Sequence, residues 1–148
     1  MMITNRTIKR LALLLGLFGI VFSSACSVPN LEAPECTDSR LAAKELYSYH
    51  FGNEMRFSPE NLKRREKFIT PELFRSLQNA PPDADPFTTK DTDFPKAFRI
   101  GGCQVLDPAK TDVEVLLFWK TDTRTEQRTI HVEVVKEGEK WLVNKILN

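Results

Sequence analysis

The residues of this chain able to do chemistry are few: two histidines, three cysteines, and four aspartates within eleven positions. By type alone, Tyr47, His50, Asp91 and Asp93 are candidates for an acid–base pocket, since burial among apolar groups raises a carboxyl pKa towards neutrality. His50 follows Tyr47 and Tyr49 and can line a cavity beside them. The plainer reading is a helix histidine, partly buried and hydrogen-bonded. His131 falls at an outward strand position, which suits a surface or cross-strand role. Neither histidine has a second histidine or a cysteine at metal-ligand spacing, so no metal site is expected.

Asp83, Asp85, Asp91 and Asp93 could offer oxygens to a hard cation. Phe87 and Pro95 occupy places where a calcium loop continues its ligands, and Asp beside Pro or Thr is ordinary turn chemistry. The run is therefore read as turns. No Gly-x-Ser-x-Gly or Gly-x-x-x-x-Gly-Lys is present, Gly101-Gly102 stands alone, and no cofactor is expected. Cys103 would be a nucleophile only if unpaired and ionised, and an apolar strand disfavours that. The aromatic set Phe94, Phe98, Phe118, Trp119 and Trp141 reads as core.

The N-terminus supplies an address. Arg6, Lys9 and Arg10 precede an apolar run from Leu11 to Phe22, and small residues follow at Ser23-Ser24-Ala25. That is the grammar of an export signal, residues 1–25. A span needs roughly 20 apolar residues, so this run is short for a permanent anchor. The small-small-Cys ending resembles the bacterial lipobox, with Cys26 acylated as the mature N-terminus. Ser23 departs from the aliphatic residue usual there, and ordinary signal peptidase is the alternative. Residues 26–36, Pro-bearing and turn-prone, then read as a tether. The expected location is the cell envelope, lipid-anchored and facing the periplasm if an outer membrane exists; the alternative is soluble periplasmic or secreted.

Lipidation at Cys26 leaves Cys36 and Cys103 as an even pair, either bridged or as two separate buried thiols. Removing residues 1–25 leaves 18 basic against 20 acidic residues, a formal charge of −2. That balance gives no electrostatic case for nucleic acid. About 110 residues remain beyond the tether, which suits one domain, residues 37–148.

The elements come helices first, strands second. Thr37 can cap a helix running to Gly52-Asn53, with Ala42, Leu46 and Tyr49 at helical spacing and Ala43, Tyr47 and His50 beside them. Ser58-Pro59-Glu60 and Thr70-Pro71-Glu72 are two further helix starts. Leu62, Ile69, Leu73, Phe74 and Leu77 point to the core, and the basic run Lys63–Lys67 reads as a solvated face. Residues 80–95 are expected to be an irregular connection. Beyond them the period becomes two: Phe98 and Ile100, then Cys103 and Val105 across a Gly101-Gly102 bulge. Val113–Trp119, Ile130–Val134 and Trp141–Leu147 follow. Leu116 and Phe118, opposite in parity to Val115 and Leu117, suggest a central strand covered on both sides. The expected fold is α+β, with two to three N-terminal helices on a curved antiparallel sheet of about four strands.

The Thr70-Pro71-Glu72-Leu73 start, the Asp83–Phe87 segment and the terminal Gly138–Ile146 strand resemble small exported bacterial domains with the nuclear-transport-factor-2-like (cystatin-like) cone. The resemblance covers residues 37–148, and within that group the chain looks most like a lipoprotein-associated family of uncharacterised function. It implies a non-catalytic module binding an envelope protein or a small apolar ligand, with pairing of two copies through the sheet. The alternative it implies is an isomerase- or dehydratase-like enzyme.

Overall fold

The structure is a computed structural model that describes residues 32–147. The export signal, Cys26 and most of the tether lie outside the described residues.

The first helix, α1, spans Pro34–Phe51 and so begins three residues before the Thr37 cap expected from sequence. Pro34 sits at the first helical position, where its fixed φ is already helical and its missing N–H costs nothing. The Ala33 carbonyl accepts from the N–H groups of Cys36 and Thr37, and Glu32 pairs with Arg40 at 2.7 Å. Residues 34–36 thus belong to the domain rather than to a tether. The buried stripe is Cys36, Ser39, Ala43, Leu46, Tyr47 and His50, the spacing of one helix face.

Two short helices follow where the Pro-Glu starts placed them: α2, Pro59–Arg65, and α3, Pro71–Leu77, with a 3-10 turn at Glu66–Phe68 between. Ser58 Oγ accepts from Asn61 N at 3.0 Å, and Thr70 Oγ1 from Leu73 N at 3.1 Å, so both caps use their side chains. One expectation fails here. Arg65, inside the run read as solvated, is 2% exposed.

The strands β1 (Ala97–Asp107), β2 (Lys110–Lys120), β3 (Thr125–Glu137) and β4 (Lys140–Leu147) form an antiparallel meander in sequence order. Two-residue turns close the first and last hairpins, and Gly138 takes φ +61°, a conformation costly for any residue with a Cβ. The pairing slips by one residue between Ile100 and Cys103, so the expected bulge forms and brings both side chains to the helix-packed face. A Cβ on Gly101 would lie 2.5 Å from Leu116 Cδ1 and 3.0 Å from Glu114 Cβ, so a larger residue at the bulge would have to displace those side chains.

Val113, Val115, Leu117, Ile130, Val132 and Val143 are buried on the helix-packed face. β2 is central, as its pattern required. Its other face, with Leu116 and Phe118, is only half-buried, and no second layer covers it among the described residues. Residues 78–96 contain neither helix nor strand, yet Ala84, Asp85, Phe87 and Thr88 are buried. Within this irregular connection, residues 84–88 form a plug against α1, while most of the residues on either side of them are exposed.

Candidate functional site

Asp85 is held by its own turn. Its Oδ1 accepts from Phe87 N at 3.0 Å, its carbonyl from Lys90 N at 3.0 Å, and its N–H donates to the Asp91 carbonyl at 3.1 Å. The second carboxylate oxygen therefore points inward, accepting from Thr88 Oγ1 at 2.8 Å and facing His50 Nε2 at 2.9 Å. His50 projects from α1 and Arg65 from the end of α2, its Nε donating to His50 Nδ1 at 2.9 Å. The rest of the guanidinium donates to the Asn61 and Glu54 carbonyls, both at 2.7 Å. Tyr47 OH donates to the Phe87 carbonyl at 2.7 Å.

A histidine–carboxylate pair is acid–base machinery only where a substrate can reach it. Here His50 and Asp85 are fully buried, and both ring nitrogens are engaged. Phe87 packs 5.1 Å from the imidazole, and the guanidinium lies over the Phe87 and Tyr49 rings. Burial holds the Tyr47 phenol well above its ordinary pKa, and the Asp85 charge adds to this, so Tyr47 remains a donor. Burial also lowers the Arg65 pKa, while the charge of Asp85 opposes that shift.

Of the four candidates read from sequence, the fold brings together Tyr47 and His50. The Asp91 and Asp93 side chains are exposed and engaged elsewhere, although the Asp91 carbonyl belongs to the Asp85 turn. Asp91 meets Arg128 at 3.3 Å, Asp93 meets Arg124, and Glu126 bridges the two arginines. Both guanidinium groups lie over the Trp119 ring, whose Nε1 donates to the Asp93 carbonyl. Hydrogen bonds from Arg124 and Arg128 hold the Glu126 carboxyl below its usual value. This is a surface lid of ion pairs over one end of the core.

The groups that sequence reading missed are Asp85, placed among turn aspartates, and Arg65. A signal existed for Arg65: it lies three residues after Leu62 and four before Ile69, on the inward stripe. His131 faces Asp112 of the neighbouring strand at 2.9 Å, a cross-strand pair as expected. Cys36 and Cys103 form a disulfide, Cα–Cα 5.7 Å, so neither is a thiol nucleophile. Such a bond fits an exported protein. Among the described residues no three His, Cys, Asp or Glu side chains are grouped to hold a metal, and no helix is long and apolar enough to cross a membrane.

Open concavities lie apart from the sealed cluster. One groove of about 590 Å³ runs between α1, the 3-10 turn and the β3–β4 hairpin. Leu41, Ala42, Phe68, Trp141 and Leu142 form its apolar part, rimmed by Asp38, Glu45, Lys67, Glu139 and Lys140. A second, of about 430 Å³, lies between Phe51, Met55 and Phe94.

The fold is similar to that of a solved protein of unknown function from Bacteroides thetaiotaomicron VPI-5482. The likeness covers 76% of this chain and 90% of that one, with 20% identity and a TM-score of 0.51. At that identity it shows the fold alone. No family model and no curated protein matches the sequence.

Proposed function

We propose that this chain is an exported envelope lipoprotein, anchored through Cys26, whose domain is a non-catalytic binding module of the cone-fold kind. The observation that carries the choice of binding over catalysis is the occupancy of His50. Arg65 fills one ring nitrogen and Asp85 the other, so this cluster holds α1, α2 and the 84–88 plug together. The surface offered to a partner protein or a small apolar ligand is the groove between α1 and the β3–β4 hairpin, where Leu41 is 55% exposed. The exposed face of the sheet offers a route to pairing two copies. The enzymatic alternative draws on the same histidine–carboxylate pair, and it requires an opening of the plug to admit a substrate.

Two measurements test this. Intact mass of the native protein from a membrane fraction, before and after reduction, should show a chain starting at an acylated Cys26 and gaining two hydrogens. Photo-crosslinking from Leu41, with Arg75 on α3 as control, should give a discrete adduct that excess unlabelled protein competes away. An unmodified Cys26 overturns the anchor. Equal, uncompeted labelling from both positions overturns the groove.

A further inference from the structure

The anchored reading has a geometric consequence for which end of the domain meets the bilayer. We propose that the β1–β2 hairpin tip, with Val105 and Leu106, is a lipid-contacting surface that seats the domain on the membrane to which Cys26 ties it. The inference rests on acylation of Cys26.

The reach of the chain limits the orientation. Six residue steps separate Cys26 from Glu32, at most about 20 Å when fully extended. Glu32 is fixed to α1 by its ion pair with Arg40, and the first turn of α1 is bonded to β1 through Cys36 and Cys103. Val105 and Leu106 follow Cys103 by two and three residues. The hairpin tip therefore lies close to the point where the chain leaves the domain. From Cys103, beside that exit point, to the opposite end of β1 at Ala97 is six residues, about 20 Å at ~3.3 Å per residue, and β2 runs on past Phe118, the partner of Ala97, to the β2–β3 turn, so that turn lies at the limit of the reach or beyond it.

What this end presents is apolar. The pairing slips a second time between Val105 and Asp107, leaving Leu106 without a paired residue on β2. Val105 is 39% and Leu106 51% exposed, two of the four large hydrophobics exposed among the described residues. Pro108 and Ala109, also exposed, complete the turn. The β3–β4 turn lies alongside, joined by the Lys136 N–H to the Ala109 carbonyl at 2.8 Å. Across the two turns, Lys110, Lys136 and Lys140 are matched by Asp107, Glu137 and Glu139. With no net charge to attract anionic headgroups, the contact is one of apolar side chains with the interface, and neutral lipid suffices.

The test uses the full acylated chain in phosphatidylcholine vesicles, its N-terminus checked by intact mass. Leu106→Trp and Asp122→Trp place reporters at the near tip and in the distant β2–β3 turn, with wild-type emission subtracted for Trp119 and Trp141. Brominated phosphatidylcholine should remove about half of the emission added at Leu106, the depth range tryptophan adopts at a bilayer interface, and none at Asp122. Val105→Trp repeats the near-tip reading if Leu106→Trp folds poorly. Equal quenching at both ends, or none at the tip of an acylated protein, overturns this inference alone. An unmodified Cys26 overturns the anchored reading and this inference with it.

Discussion

Arg65 Nε lies 2.9 Å from His50 Nδ1, and a guanidinium can only donate. The imidazole must therefore present its lone pair at Nδ1 and its ring hydrogen at Nε2, toward Asp85. One contact between α2 and α1 thus fixes the tautomer, and through it the bond to the 84–88 plug. Three segments distant in sequence share one buried polar network with no spare acceptor on the ring.

Cutting that network should cost far more than a surface change. Arg65→Met leaves His50 Nδ1 and the Asn61 and Glu54 carbonyls without their donors, and the Asp85 charge without its nearby cation. Removing one member of a buried charged set costs about 3–5 kcal/mol. Arg65→Lys should lose nearly as much, because a single ammonium cannot reach three acceptors in a fork. Chemical denaturation should show both losses, whereas Arg64→Met, on the exposed side of α2, should change stability little. A lysine variant as stable as wild type would show that the fork geometry is irrelevant.

Tyr47→Phe keeps the ring and removes one bond, leaving the buried Phe87 carbonyl unpaired. The expected loss is about 1–3 kcal/mol. The pH dependence distinguishes this from a packing defect. With the folded pKa raised, Tyr47 contributes stability that is complete below the ordinary tyrosine pKa of about 10. It is lost as pH rises through the alkaline range, where only the unfolded chain ionises readily. The phenylalanine variant should lack this alkaline decline in melting temperature; an unchanged decline would exonerate Tyr47.

The Cys36–Cys103 bond closes a separation of 67 residues. On the chain-entropy account, a loop of that length contributes about 4 kcal/mol. Cys36→Ala with Cys103→Ala should lower the melting temperature by about 10–20 °C. Reduction of the wild type should do the same, and reduction of the double variant nothing. Because the bond joins α1 to an edge strand, amide exchange in β1 should rise more than in β2.

The elements were more legible than the cluster, for physical reasons. Pro71 after Thr70 declares a helix start in four residues, and the Gly101 bulge follows from a parity break between Ile100 and Cys103. These signals are local. The partner of His50 is not local, since Asp85 lies 35 residues away in a segment with no periodicity. Sequence reading chose Asp91 and Asp93 from the same aspartate run because composition cannot show which carboxylate its own turn directs inward. Pro34 was missed for the opposite reason: a proline before the first apolar residue read as tether, and it is the first helical residue of α1.

Glu133 gives an acid-side test at the junction of α3 with the sheet. Its side chain is 13% exposed, and burial by itself raises the carboxyl pKa. The Asn144 amide, donating to Oε1 at 2.8 Å, and the ammonium groups of Lys145 and Lys110 outweigh burial and leave the pKa below its ordinary value. A depressed folded pKa means that the folded state binds fewer protons than the unfolded chain through the carboxylate range. The resulting stability is present above the unfolded value of about 4.3 and is lost as pH falls through the folded one. Glu133→Gln should therefore be less stable than wild type at pH 7, with the gap closing in strong acid. Asn144→Ala should weaken the same acid dependence and also disturb α3, since Asn144 Oδ1 accepts from the Thr70 cap at 2.7 Å. Equal acid slopes in wild type and Glu133→Gln would place the acid sensitivity of the domain at other carboxylates.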